Sequence, residues 1–364
     1  MRFTESKILS VNKFILDTYA DFLILNEGPA AATRFSEASH NLISHDQFTR
    51  FLNKKDYTPV DLWKITKPLI KSSNANNKCT LVLDDSIEEK PYTKENDVIC
   101  WHYSHGKGRC VKGIEILSAL LVYEDAVIPF SYEVIHKTIE YCDIETKKHK
   151  RMSSFNKNEL ARGLIQKAVD CGINFDTILA DNWFCCSETL AFIENLNKKF
   201  IFGIKSNRNL YDNFNDREMN IKTKLSEVDL KEGDIIQVFL NVLKFQVRIV
   251  KKVFTNENGT RGTLYLVTND ASLNAHDFYS TYQKRWKIEV YHKSLKHNVS
   301  LSKSPTKVKR SQLNHIFGAM YAFVQLESIK LKNKKNHFQM KREIHIYSLK
   351  MASEKLRELR NEAA

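Results

Sequence analysis

Up to about residue 72 the apolar positions recur at helical spacing. Ser44-x-x-Gln47 ahead of Phe48, Phe51 and Leu52 has the form of a capping box. Thr58-Pro59-Val60-Asp61 puts proline at a first helical position. These short helices, 1–72, form either a small DNA-binding domain or a structural lid. The period then changes. Thr80-Leu81-Val82-Leu83 predicts a buried strand ending in Asp84-Asp85, and Ile114 to Tyr123 and Val127 to Val134 predict a hairpin. Leu160, Leu164, Ile165, Ala168 and Val169 follow at helical spacing and are closed by Gly172. Thr177 to Ala180 predicts a strand leading into Asp181, a helix covers Ser187 to Asn197, and Phe200 to Ile204 forms a fully apolar strand. The order β-β-β-α-β-α-β implies a mixed sheet flanked by helices, with acids at strand carboxyl ends, where open α/β sheets place their sites.

From 207 to 275 the pattern turns to strands again, at Ile235 to Leu240, Lys244 to Phe254 and Gly262 to Val267, which predicts an inserted β subdomain. A long amphipathic helix begins near Phe278, a second covers Ser311 to Leu331, and 332–364 is a charged tail that is helical or frayed. The central domain therefore comprises 73–206 and 276–331. On the first of these helices, at about 100° per residue, Tyr282, Arg285, Glu289 and Lys296 share a stripe about 60° wide. Ile288, Tyr291, Leu295 and Val299 fall on another face that can pack inward.

Composition narrows the function. The chain has 364 residues, 42% of them hydrophobic, enough to bury a large core in two or three domains. No apolar run is long enough to span a membrane and the first residues do not resemble a signal peptide, so an intracellular, cytoplasmic protein without a membrane partner is expected. Seven cysteines without a C-x-x-C pair point to reduced thiols and no zinc site. The net charge of +13 favours a polyanionic partner. Its distribution is uneven: Thr281 to Arg310 carries nine Lys/Arg and a single acid, Glu289.

Tyr282-x-x-Arg285-x-x-x-Glu289-x-x-x-x-x-x-Lys296 resembles the Y-x2-R-x3-E-x6-K signature of one branch of bacterial insertion-sequence transposases with a DDE triad. Asp85 and Asp181, each after an apolar strand, resemble the first two acids of that family, and the resemblance spans roughly 78 to 330. It implies a ribonuclease-H-like fold in which Asp85, Asp181 and Glu289 hold two Mg²⁺ ions, with Mn²⁺ as a substitute. Water would cut a transposon end and the freed 3′ hydroxyl would attack target DNA. It also implies double-stranded DNA as partner, a dimer on DNA, a bacterial nucleoid setting, and phosphate contacts from Tyr282, Arg285 and Lys296.

Lys205 and Arg208, beyond the apolar strand, are further candidates for phosphate contact. Asp84 ranks second because it adjoins Asp85 on the opposite side of a strand. His102, His105, Gly106, Lys107, Gly108 and Arg109 make either a DNA-touching loop or a solvated turn. Trp183 either stacks on a base or fills core. No Trp lies between Asn207 and Ala275, only aromatics such as Phe245, Phe254 and Tyr265, which leaves a hairpin-forming reaction open. Two other functions stay open: a ribonuclease-H-like endonuclease or resolvase without strand transfer, and an inactive DNA-binding remnant.

Overall fold

The computed structural model describes residues 2–73, 78–255 and 259–362. The chain opens with four helices, α1 (Arg2–Leu25), α2 (Ala32–Ala38), α3 (His45–Lys54) and α4 (Pro59–Ser73). Ser44 and Gln47 form the expected reciprocal cap of α3, and Pro59 starts α4. A sheet follows: β1 (Cys79–Glu89), β2 (Cys100–Ser104), β3 (Arg109–Val122) and β4 (Val127–Val134). Next come the two-stranded ribbon β5 (Ile139–Cys142) and β6 (His149–Met152), α5 (Lys157–Asp170), β7 (Phe175–Ala180), α6 (Ser187–Asn195) and β8 (Lys199–Ile204). The stretch read as an insertion holds β9 (Asn209–Tyr211), α7 (Phe214–Glu218), β10 (Thr223–Lys224), β11 (Ile235–Leu240), β12 (Gln246–Thr255) and β13 (Arg261–Thr268). The chain ends in α8 (Ala275–Gln283), α9 (Trp286–His297), α10 (Lys309–Asn333) and α11 (His337–Glu362).

The architecture is a mixed α/β sheet flanked by helices. Strands β1, β3 and β4 are antiparallel neighbours, while β7 pairs parallel with β1 and β8 parallel with β7. Strands β9 to β13 are hydrogen-bonded into this same sheet, because β13 pairs antiparallel with β8. The central strands are buried on both faces, as the near-continuous apolar runs require. Val82, Ile116, Leu120, Leu179 and Ile201 face one core beneath α8, α9 and α10. Leu81, Leu83, Leu117, Ile178 and Ala180 face the other beneath α5 and α6. Helices α1 to α3 share the first core with α10: the hydroxyl of Tyr19 lies 2.6 Å from Nδ1 of His315, and a Cβ on Gly318 would meet the Tyr19 ring.

Two local expectations change, and of two alternatives for the tail one is found. Strand β1 does not stop at Asp84-Asp85, since pairing from Asp84↔Ser118 to Glu89↔Gly113 carries it four residues further. The long helix expected from Phe278 is broken at Lys284 and Arg285, where backbone bonds of the i→i+3 type (Lys284 to Thr281, Arg285 to Tyr282) tighten the turn. The charged tail is the helix α11, of which only His337 and Met340 are buried.

Candidate active site

Asp84 and Asp85, adjacent within β1, point to opposite faces of the sheet, as successive strand residues must. Asp84 shares the face of Val82 and looks toward α9, where Nη1 of Arg285 lies 3.7 Å from its Oδ2. Burial, with the nearby charges of Asp181 and Glu289, pushes Asp84 up to about 7 although Arg285 opposes the shift. Asp181 follows β7, and its Oδ1 accepts the backbone N–H of Trp183 at 2.9 Å. This turn is tightly seated: a Cβ on Gly203 of β8 would come 3.0 Å from the backbone nitrogen of Asn182. Glu289, in the first turn of α9, accepts from Nη2 of Arg285 at 2.6 Å. Arg285 thus stands between Asp84 and Glu289. Burial works against its charge, but Tyr282, Asp84 and Glu289 outweigh that and raise its affinity for the proton.

Asp85 lies on the α5 side. Its Oδ1 accepts from Nζ of Lys157 at 3.2 Å, and the same ammonium donates to Oε1 of Glu115 at 2.8 Å. Nδ1 of His102 donates to Oε2 of Glu115 at 2.7 Å. Burial pushes Asp85 up to about 7; Lys157 opposes this and Glu115 adds to it. Burial alone would raise Glu115 too, but the hydrogen bond from His102 and the charge of Lys157 hold it well below the usual carboxylate range.

Asp84, Asp85 and Asp181 all line one cleft of about 780 Å³, with His105, Gly106, Lys107, Lys157, Trp183, Lys205 and Lys296 around them. Lys296 donates to the carbonyl of Ile87 at 3.2 Å, and Lys205 lies 5.6 Å from the Trp183 ring centroid. Arg208 lines the adjoining cleft of about 510 Å³ and donates to the carbonyl of Cys185 at 2.6 Å. Trp183 is 43% exposed, so it is not core filler. Glu289 is outside the lining of the larger cleft and reaches its acids through Arg285.

Among the site residues read from the sequence, Asp84 is better placed than expected, facing Asp181 and Glu289 instead of pointing away. Tyr282 is not on the polar surface stripe. It is 5% exposed and packs in the core, because the break before α9 removes the continuous 100° register on which the stripe was drawn. Its ring sits beside Arg285, whose guanidinium carbon is 5.6 Å from the ring centroid. The inward face of α9 is as expected, with Ile288, Tyr291, Leu295 and Val299 buried. His102 is a buried partner of Glu115 on β2 and not part of the turn, whereas His105, Gly106 and Lys107 do border the cleft. Glu115 and Lys157 were not singled out from the sequence. A carboxylate between Ile114 and Ile116 in an apolar strand was the available signal, since a buried charge requires partners.

Hard carboxylate oxygens set into a polar cleft suit a divalent cation such as Mg²⁺. Asp84 and Asp85 are largely buried beside the cleft, each with a cationic side chain, Arg285 or Lys157, standing against it, and this oxygen-donor set fits a divalent cation. Among the described residues no three acidic, histidine or cysteine side chains are gathered closely enough to grip an ion as they stand.

A mixed sheet of this order, with acids on β1 and just past the end of its neighbour β7, is the framework of a ribonuclease-H-like nuclease. The chain matches the family described as DDE superfamily endonuclease over residues 20–225 and the Transposase DDE domain over residues 142–324. Each match covers at least half of the 364 residues, and the chain belongs to the DDE transposases. Its membership implies a nuclease-type enzyme acting on DNA in transposition. No curated protein matches the chain. Among the described residues no helix is long and apolar enough to cross a membrane.

Proposed function

We propose that this protein cuts DNA at transposon ends and transfers the freed 3′ end into target DNA, through Asp85, Asp181 and Glu289 with Asp84 as a fourth acid. The observation that carries the reading is the convergence of Asp84, Asp85 and Asp181 on one lysine-rich cleft, with Glu289 tied to Asp84 through Arg285. These carboxylates would hold two Mg²⁺ ions, with Mn²⁺ as a substitute. The chemistry such ions would supply is activation of an attacking oxygen and stabilisation of a leaving one in an in-line phosphoryl displacement.

The chain's own residues do the rest. Lys205, Lys296 and Arg208 supply cationic donors along the cleft and its neighbour and are suited to the phosphates of the DNA end. Arg285 is a counter-ion to the acids at rest, and its fork can turn to phosphate once a cation replaces it. Tyr282 acts through Arg285 by fixing it from the core side. The spacing Tyr282, Arg285, Glu289, Lys296 supports placing the protein in the Y-x2-R-x3-E-x6-K branch. Pairing of two ends calls for a dimer on DNA, in a bacterial nucleoid.

Strand transfer separates this function from that of a nuclease lacking it. A duplex with a precut 3′ hydroxyl end, mixed with supercoiled plasmid and Mg²⁺, yields covalently joined product if the proposal holds. Nicking of plasmid without any joined product would assign the chain to endonuclease activity alone.

A further inference from the structure

Lys157 is the first residue of α5, five residues beyond the ribbon β5–β6, and its ammonium is held at three points. It donates to Asp85 at 3.2 Å and to Glu115 at 2.8 Å, lies 4.9 Å from the Trp183 ring centroid, and borders the cleft. Glu115 is itself fixed from behind, because His102, 3% exposed, donates to its other oxygen. Placement is therefore rigid on the Glu115 side and open on the cleft side. A purely structural lysine would need only Glu115, whereas this one also covers an oxygen of Asp85, a proposed cation ligand.

We infer that Lys157 is a resident counter-ion that competes with the divalent cation for Asp85 and must be displaced before the acid can bind it. This inference rests on the functional reading above. In the resting protein the ammonium neutralises Asp85 and keeps its oxygen engaged. When a cation enters, electrostatic repulsion drives the ammonium off Asp85, and Glu115 with the Trp183 face retains it beside the cleft. There it is available to an entering phosphate, so that one residue restrains the empty site and positions DNA in the filled one. Lys157 is on this account a positioning residue. Its removal has an unusual sign: cation binding improves while DNA handling worsens.

The test is direct binding of Mn²⁺ to the full-length protein without DNA, followed by electron paramagnetic resonance at pH 8.5, for the unsubstituted chain, Lys157→Met and Lys157→Arg. Lys157→Met is expected to bind Mn²⁺ at least tenfold more tightly, and Lys157→Arg, which keeps the charge, to stay within twofold of the parent. Circular dichroism establishes that each variant is folded. Unchanged or weaker Mn²⁺ binding by folded Lys157→Met overturns the inference and leaves the functional reading intact. If neither the unsubstituted protein nor folded Lys157→Met binds Mn²⁺ at millimolar concentration, the metal-site reading falls and the inference with it.

Discussion

Acidification should remove the stability that one buried histidine contributes. His315 on α10 is 1% exposed and fully bonded as a neutral ring: Nε2 donates to the carbonyl of Leu301 at 2.9 Å, leaving Nδ1 to accept from the Tyr19 hydroxyl at 2.6 Å. Burial lowers its pKa from 6.5 to about 4. Because the folded value is depressed, the neutral ring contributes stability above pH 6.5 that is lost as pH falls toward 4. With those two values linkage gives a loss of ~2 kcal/mol between pH 7 and pH 5, and ~3 kcal/mol once both states are protonated. His292, lowered to about 3 by burial, adds a loss of the same sign. Urea unfolding at 25 °C, at pH 7 and pH 5, isolates the His315 share by comparing the parent with His315→Gln. The variant should be less stable at pH 7, because Tyr19 loses its partner, but its stability should fall by ~2 kcal/mol less on acidification. Equal pH dependence in the two proteins would refute the assignment.

Further outcomes follow from close packing and buried charge around the cleft. Gly203→Ala brings a Cβ 3.0 Å from the backbone of Asn182, so the turn carrying Asp181 must shift. It should cost ~1–3 kcal/mol in urea unfolding and slow plasmid nicking, and parental values for both would contradict the close-approach account. Glu115→Ala strips His102 and Lys157 of their shared buried partner and is expected to cost ~3–5 kcal/mol, read from the urea midpoint. A loss under about 1 kcal/mol would show that the pair is not a supporting one. Arg285→Ala leaves Asp84 and Glu289 without their cation and should weaken binding of a DNA end while Arg285→Lys restores part of it. Equal affinity for a 30-base-pair duplex in both variants and the parent would remove Arg285 from the DNA surface.

The parts legible in the sequence were those governed by period and local chemistry. Apolar runs located β7, β8 and β11 to β13, and Ser44 with Gln47 and Gly172 punctuated helices as their capping chemistry requires, Gly172 at φ +66°. Short polar strands such as β5, β6, β9 and β10 carry too few alternating apolar positions to be seen. What sequence could not supply was the side of the sheet each acid takes. The alternation itself was clear, but choosing which face met Glu289 required knowing that α9 covers the Val82 side and α5 the Leu83 side. Likewise the break at Lys284 and Arg285 left no proline or glycine as a mark, and it moved Tyr282 from an expected surface stripe into the core. The Asp85, Lys157, Glu115, His102 chain joins four separate segments, and only the tertiary pairing of β1, β2 and β3 together with the start of α5 brings them into contact.

Asp181 is common to every version of the proposed metal site, so its replacement tests the central claim most directly. Nicking of supercoiled plasmid in Mg²⁺ should be measured for the parent and for Asp181→Asn, which keeps the side chain's size and the hydrogen bond from Trp183. The account predicts Mg²⁺-dependent nicking by the parent, abolished by chelation, and a loss of at least a thousandfold in a variant that still binds duplex DNA. Nicking by Asp181→Asn at the parental rate, or undiminished nicking after chelation, would contradict it.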